Sequence, residues 1–301
     1  MQGKEKFHME FRVLKYFLAV AREENISAAA ESLHVTQPTL SRQLMDLESE
    51  LGKTLFNREH RRISLTEEGM LLRKRAEEII NLVDKTEAEI MNSENDISGD
   101  VYIGGGETEG MRLIAQTAKL LRDDGYEIRY HLFSGNSFSI SEQLEKGLLD
   151  FGLFVEGANL QKYDSIRLPY TDVWGILMRK DSELAEKQEI YPEDLWDKPI
   201  ILSYQSDINN DFTGWFKRGH DKLNIVGTYN LLYNASLMVE EGVGYALCLD
   251  KLINYSGNSP LCFRPLKPAR TAHLDLAWKK YQVFSKPAEL FLKKLRETFE
   301  Q

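Results

Sequence analysis

Cysteine is scarce in this chain: Cys248 and Cys262 are the only two among 301 residues. Without a Cys-x-x-Cys spacing or a nearby histidine cluster, they exclude a disulfide framework and argue against a thiolate metal site. Cys248 sits in the apolar run Tyr245-Ala-Leu-Cys-Leu249 and reads as a buried small hydrophobe, a redox switch through both thiols being the minor alternative. Long apolar runs are missing too. Nothing approaches the roughly 18 apolar residues that cross a bilayer, and no signal peptide opens the chain, so the expected location is the cytoplasm with no membrane partner. The six histidines are scattered, with no nucleophile elbow, metal spacing or phosphate loop around them. Gly104-Gly-Gly106 is not followed by Lys-Ser/Thr, so it is weak as a phosphate loop. An enzyme is therefore disfavoured, and neither a metal nor a cofactor is expected.

Positive charge is also short overall. The net charge of −9 does not suit a general nucleic-acid coat. Locally the balance reverses: from Lys53 to Arg75, seven basic residues (Lys53, Arg58, Arg61, Arg62, Arg73, Lys74, Arg75) face Glu59, Glu67 and Glu68. A positive patch on an acidic molecule favours specific docking over indiscriminate binding. The length gives a prior of about two domains.

What is present begins with helices. Phe17, Val20 and Ala21 mark the buried stripe of a helix starting near Glu10. Ser27 is the expected N-cap of a short second helix with Ala29, Ala30 and Leu33 inward. Thr36 caps a third, where Pro38 in the first turn loses no hydrogen bond. Leu40, Leu44 and Leu47 form that helix's buried stripe and leave Gln37, Thr39, Ser41, Arg42 and Gln43 mainly on its other sides. Gln pairs with adenine edges and Arg with guanine edges or phosphates, while Ser and the Thr methyl suit close groove contact. A merely solvated helix face is the alternative for this helix alone. The hairpin that follows shifts the balance, because Arg58, Arg61 and Arg62 project from it toward phosphates or a narrow minor groove.

A long helix follows, capped by Thr66. Leu72, Ala76, Ile79, Val83, Thr86 and Ile90 recur at alternating spacings of four and three, which predicts a two-helix seam between copies. The competing reading is a helix lying on its own domain. A seam would present two recognition helices to one dyad-symmetric DNA site. Met91–Ser98 reads as a hinge. Beyond Asp100 strands and helices alternate, which predicts a mostly parallel sheet covered on both faces.

The series Ser27-Ala-Ala-Ala30, Gln37-Pro-Thr-Leu-Ser-Arg-Gln43, Leu47-Glu48, Leu51-Gly52, Leu55-Phe56 and Leu65-Thr66 resembles the DNA-binding domain of LysR-type transcriptional regulators. Farther on, Gln143-Leu…Gly147…Asp150-Phe-Gly152, Met238-Val…Gly242-Val-Gly244 and Phe291-Leu…Leu295 carry the likeness over almost the whole chain. The resemblance implies three parts. These are a winged helix-turn-helix over 9–66, a dimerising linker helix over 67–91, and an effector-binding domain over 98–301 of periplasmic-binding-protein architecture. In that last domain, lobe I is 98–162 with 268–301 and lobe II is 163–267. It further implies Gln37, Pro38, Ser41 and Arg42 as recognition-helix contacts and Arg61 as a wing contact. Ala28 departs from the polar or basic residue of many relatives, and Met1–His8 precede the usual start. The implied partners are double-stranded DNA at a dyad-symmetric promoter site, a small-molecule effector, further copies as homodimer or dimer of dimers, and RNA polymerase.

Open α/β sheets bind ligands beyond the carboxyl ends of their strands. That rule and the resemblance gather Glu107, Thr108, Ser134 and Asn136 on one side of a cleft. Ser203, Tyr204 and Gln205 lie on the other, and Tyr229 and Asn230 close the side. For each residue alone, ordinary cap or turn chemistry is the alternative. Glu107 would repel an anion unless a cation accompanied it, which tilts the expected effector toward neutral, polar or amine-bearing molecules. A catalytic cleft and an exported solute-binding protein are the rival classes; turnover of a metabolite or export of the chain would reveal them.

Overall fold

The computed structural model describes residues 9–59, 62–91, 97–156, 160–204 and 212–299, in two compact units that divide after Met91. Expectations placed on Met1–His8, on residues 92–96 of the Met91–Ser98 hinge, on Arg61 and on Gln205 lie outside the described residues.

In the first unit α1 (Phe11–Glu23) buries Val13, Leu14, Phe17 and Val20. It ends on Glu24, whose φ of 49° is left-handed and whose carbonyl accepts from Ile63 N at 3.2 Å. That bond ties the later hairpin to the end of α1. Helix α2 (Ile26–Ser32) is capped by Asn25 rather than Ser27: the Asn25 side-chain oxygen accepts from Ser27 N (2.8 Å) and Ala28 N (3.1 Å). The extended backbone at Asn25 lets one short amide reach two unpaired donors. Helix α3 (Gln37–Leu51) follows Thr36, buries Leu40, Leu44 and Leu47, and stops at Gly52 with φ 63°. Strands β1 (Phe56–Glu59) and β2 (Arg62–Leu65) pair antiparallel to form the wing.

Helix α4 (Glu67–Met91) starts where Thr66 Oγ1 accepts from Gly69 N at 3.0 Å and donates to Thr54 O at 2.8 Å. A Cβ on Gly69 would lie 2.1 Å from the Leu55 carbonyl, so only glycine lets the helix seat there. The apolar residues of α4 divide between two faces, which corrects the single predicted seam. Leu72, Ala76 and Ile80 pack into the unit's own core, with Ala76 fully buried. Leu71, Ile79, Leu82 and Ile90 are exposed, and Val83 is half-buried. The four-three spacing spans adjacent faces of a helix that turns 100° per residue, so it merged an inward stripe with an outward one.

The second unit is two α/β lobes sharing one strand. In lobe I, β3 (Gly99–Gly105) lies parallel between β4 (Ile128–Ser134) and β5 (Phe151–Val155). Helices α5 (Met111–Asp123) and α6 (Ser137–Glu145) provide the crossovers. Strand β6 (Tyr163–Arg179) then runs through both lobes. In lobe II, β7 (Ile200–Ser203) is followed by a single turn α7 (Thr213–Phe216), then β8 (Ile225–Tyr229), α8 (Leu232–Glu240) and β9 (Tyr245–Leu249). Strand β10 (Leu261–Pro265) pairs the far half of β6, while β11 (Thr271–Lys279) returns to lobe I and α9 (Lys286–Phe299) covers it.

A lobe boundary at 162/163 is therefore misplaced. Tyr163–Val173 pair with β11 in lobe I, and Trp174–Leu177 pair with β9 in lobe II. The apolar stretch Val173–Met178 is only the far end of β6. Its first part (Tyr163-Asp-Ser-Ile-Arg-Leu-Pro) is polar and carries a proline, so it gave no strand signal. Cys248 pairs with β6 at Gly175 and Cys262 at Met178, from opposite edges of that strand and in separate core clusters. Flanking strands lie about 9–10 Å apart at the spacing of two ladders, beyond disulfide reach, so a switch joining the two thiols is excluded.

Candidate functional site

On the first unit the buried leucine stripe of α3 turns Gln37, Pro38, Thr39 and Arg42 outward, with Ser41 half-exposed beside them. Thr36 and Thr39 share a hydroxyl contact at 2.8 Å, so Thr39 serves the helix start as well as the exposed face. Arg42 is 83% exposed and stands 3.9 Å from Asp46, a loose pairing worth little in water. Its guanidinium is thus available for a base edge. Arg58 is not equally available, because its Nη2 donates to Glu48 Oε2 at 2.8 Å. The other Glu48 oxygen accepts from Leu55 N (2.7 Å) and Phe56 N (3.1 Å). Glu48, which sequence reasoning treated only as a motif letter, is the strut between α3 and the wing. For Arg62 the backbone at the start of β2 is described, but its side chain lies outside the described residues.

In the second unit a cavity of about 110 Å³ opens between the lobes at the carboxyl ends of the strands. Glu107 and Asn136 line it from lobe I, and Ser203, Tyr204, Tyr229 and Asn230 from lobe II. The same surface includes Phe154, Glu156 and Trp174. Several of these groups already have work within the fold. Asn136 Oδ1 caps α6 through Ser139 N at 2.9 Å, leaving its amide nitrogen for a ligand. Tyr229 donates to the Leu247 carbonyl at 2.8 Å, and desolvation of that hydroxyl holds its phenol pKa well above the ordinary value, so toward the cavity it offers ring surface. Glu107 reaches across the cleft, where one carboxylate oxygen accepts from Leu232 N at the start of α8. The other expected residues fall elsewhere. Ser134 is exposed at the end of β4, outside the cavity lining, because the turn that follows directs Gly135 and Asn136 inward instead. Thr108 is buried behind the wall, where its hydroxyl donates to Asp172 and accepts from Gly110 N at 3.0 Å.

Comparison with known proteins gives the family to which this fold belongs. The profile "Bacterial regulatory helix-turn-helix protein, lysR family" matches residues 11–70, and "LysR substrate binding domain" matches residues 94–300. The chain belongs to the LysR family. It is a LysR-type DNA-binding transcriptional regulator with an effector-binding domain. HTH-type transcriptional regulator BsdA of Bacillus subtilis is 40% identical over 97 residues, 32% of this chain and 33% of that protein. Hca operon transcriptional activator HcaR of Escherichia coli is 26% identical over 286 residues, 93% of this chain and 94% of that one. Among solved structures, full-length CbnR complexed with its target DNA superposes with TM-score 0.74 at 18% identity. That match covers 96% of this chain and all of CbnR. Among the described residues no helix is long and apolar enough to cross a membrane.

Sequence reasoning about this LysR-type regulator missed Asp172, on β6 just before the strand passes between lobes. The residue is 1% exposed, and burial pushes its carboxyl pKa up to about 6 against the opposing hydrogen bonds from Thr108 and the Glu109 backbone. Its second oxygen has no hydrogen-bond partner among the described residues. A carboxylate whose native pKa exceeds its unfolded value binds more protons when folded, so stability falls as pH rises from about 4 to about 6. Above pH 7 the ionised group opposes folding by on the order of 1–3 kcal/mol. Asp172→Asn should therefore raise stability near pH 7.5 by that order and flatten the pH 4–6 profile. Urea unfolding followed by tryptophan fluorescence checks this, because all four tryptophans lie in the second unit; an unchanged profile would remove Asp172 as the source. Val at Thr108 should then act through this buried pair and cost stability, rather than touch a ligand directly.

Both thiols are pushed up by burial, Cys248 far beyond its ordinary range. Neither supplies the thiolate that oxidant sensing uses.

Proposed function

We propose that this protein binds a dyad-symmetric promoter site as a homodimer, itself paired into a dimer of dimers, and that a small molecule held between the lobes of its second unit alters that binding. The observation that carries the reading is the convergence of six expected cleft residues on one cavity. It is supported by a recognition helix whose polar face is open while its leucines are buried. The outward apolar residues of α4 support assembly through that helix. A ligand that holds one arrangement of the lobes more tightly shifts the population toward it, within the limit of its differential affinity. Contact with RNA polymerase belongs to the same reading, through the regulatory role of the family. The scattered histidines favour sensing over catalysis.

Arg42→Ala tests the DNA half. Loss of a base-edge contact should cost about 1–3 kcal/mol on a site selected from a random pool, and much less on unrelated duplex. Equal losses on both would make Arg42 a phosphate contact. Ser203→Ala tests the effector half, using whichever metabolite raises the melting temperature of the full-length protein in a screen. Loss of one hydrogen bond should weaken that metabolite by about 0.5–1.5 kcal/mol and leave effector-free DNA binding unchanged. A wild-type response would move the pocket elsewhere.

A further inference from the structure

The charge of the cavity wall is one-sided. Among the described residues lining it, Glu107 and Glu156 are acidic, and none is Lys, Arg or His. The nearby Arg167 is committed to Asp275 through bonds of 2.7 and 3.1 Å. One Glu107 oxygen is engaged by Leu232 N, and the second has no hydrogen-bond partner among the described residues. Trp174, Tyr204 and Phe154 supply aromatic surface around the same space. A carboxylate ligand would meet like charge there, and among the described residues no guanidinium or ammonium lines the wall to receive it. A cation would meet a carboxylate oxygen that no described residue occupies, and aromatic faces, both of which attract it. The acidic whole, at −9, adds long-range attraction of the same sign.

The geometry points to a small organic cation, an amine or quaternary ammonium compound, as the effector class, with Glu107 as the residue that selects for positive charge. This rests on the cleft being the effector site. The cavity, holding on the order of ten water-sized volumes, fits a molecule with a single ring or short chain. Because Glu107 also caps α8 from the opposite lobe, a cation bound to its second oxygen adds to a contact that already joins the lobes.

The test uses full-length wild type and Glu107→Gln, which keeps an acceptor for Leu232 N while removing the charge. Titration calorimetry and thermal shift would compare 2-phenylethylamine and butylamine with 3-phenylpropionate and butyrate. The amines should bind wild type at least tenfold more tightly than the acids of matched size, and Glu107→Gln should erase most of that preference. Tighter binding of the acids to wild type would overturn the cation assignment while leaving the cleft as a ligand site. An amine preference that survives Glu107→Gln would overturn the role of Glu107. No response to any member of either series would overturn the amine assignment, while Ser203→Ala with a screened metabolite decides the cleft reading separately.

Discussion

Replacing Ile79 by Asp should turn the full-length protein monomeric in sedimentation and cost about 100-fold or more in affinity for a dyad site, because the second half-site no longer adds its share. Leu71, Ile79, Leu82 and Ile90 are 61%, 38%, 42% and 78% exposed, and they fall within about a 100° arc of α4. Four large apolar side chains on one outward arc exceed the scattered singles of an ordinary surface. A second copy of the same helix is the partner that would cover them symmetrically. Asp at 79 would place an unpaired charge in that contact. Leu82→Asp should behave alike. Met70→Asp changes an exposed residue outside the arc and should leave the dimer intact. A dimer that survives both Ile79→Asp and Leu82→Asp would show that α4 serves only its own unit.

Glu48→Ala should destabilise the first unit by about 2–4 kcal/mol, because two backbone amides and a guanidinium lose their shared acceptor. The Glu48 side chain is only 14% exposed, so water does not fully replace it. The wing would lose its link to α3, and DNA affinity should drop beyond what Arg58 alone contributes. Glu48→Gln keeps one acceptor for the Leu55 and Phe56 amides and should cost clearly less. Tryptophan fluorescence is blind to this unit, since Trp174 is the first tryptophan in the chain. Helical circular dichroism or amide exchange in α1–α3 is the suitable reading. Equal stability of Glu48→Ala and wild type would mean that the strut is dispensable.

The parts of the fold with a strong local signal were legible beforehand. The leucine stripe of α3, the Thr36 and Thr66 caps and the strand-helix alternation all follow from periodicity and cap chemistry. What was hidden depends on long-range contact. Asn25 outcompetes Ser27 as cap because the turn out of α1 sets its backbone. Leu72 and Ala76 turn inward because α1 lies beneath them, a fact that α4's own sequence does not hold. Thr108 is a plausible cleft residue by position, yet Asp172, 64 residues away, captures its hydroxyl. Six of the nine expected cleft residues line the cavity because strand ends are read from local pattern. The acidic bias of the wall emerges only when Glu156 joins Glu107 from another strand.

Strand β6 has a bearing on how this molecule can be divided. Its Tyr163–Val173 stretch completes one lobe and its Trp174–Arg179 end completes the other. A chain cut at 162 would strip β11 of a neighbour and expose a long sheet edge, an invitation to aggregate. Neither lobe is an independent module that a gene could lend or lose. The pair should melt in a single transition, and slow amide exchange at the middle of β6 should register the unfolding of both lobes together.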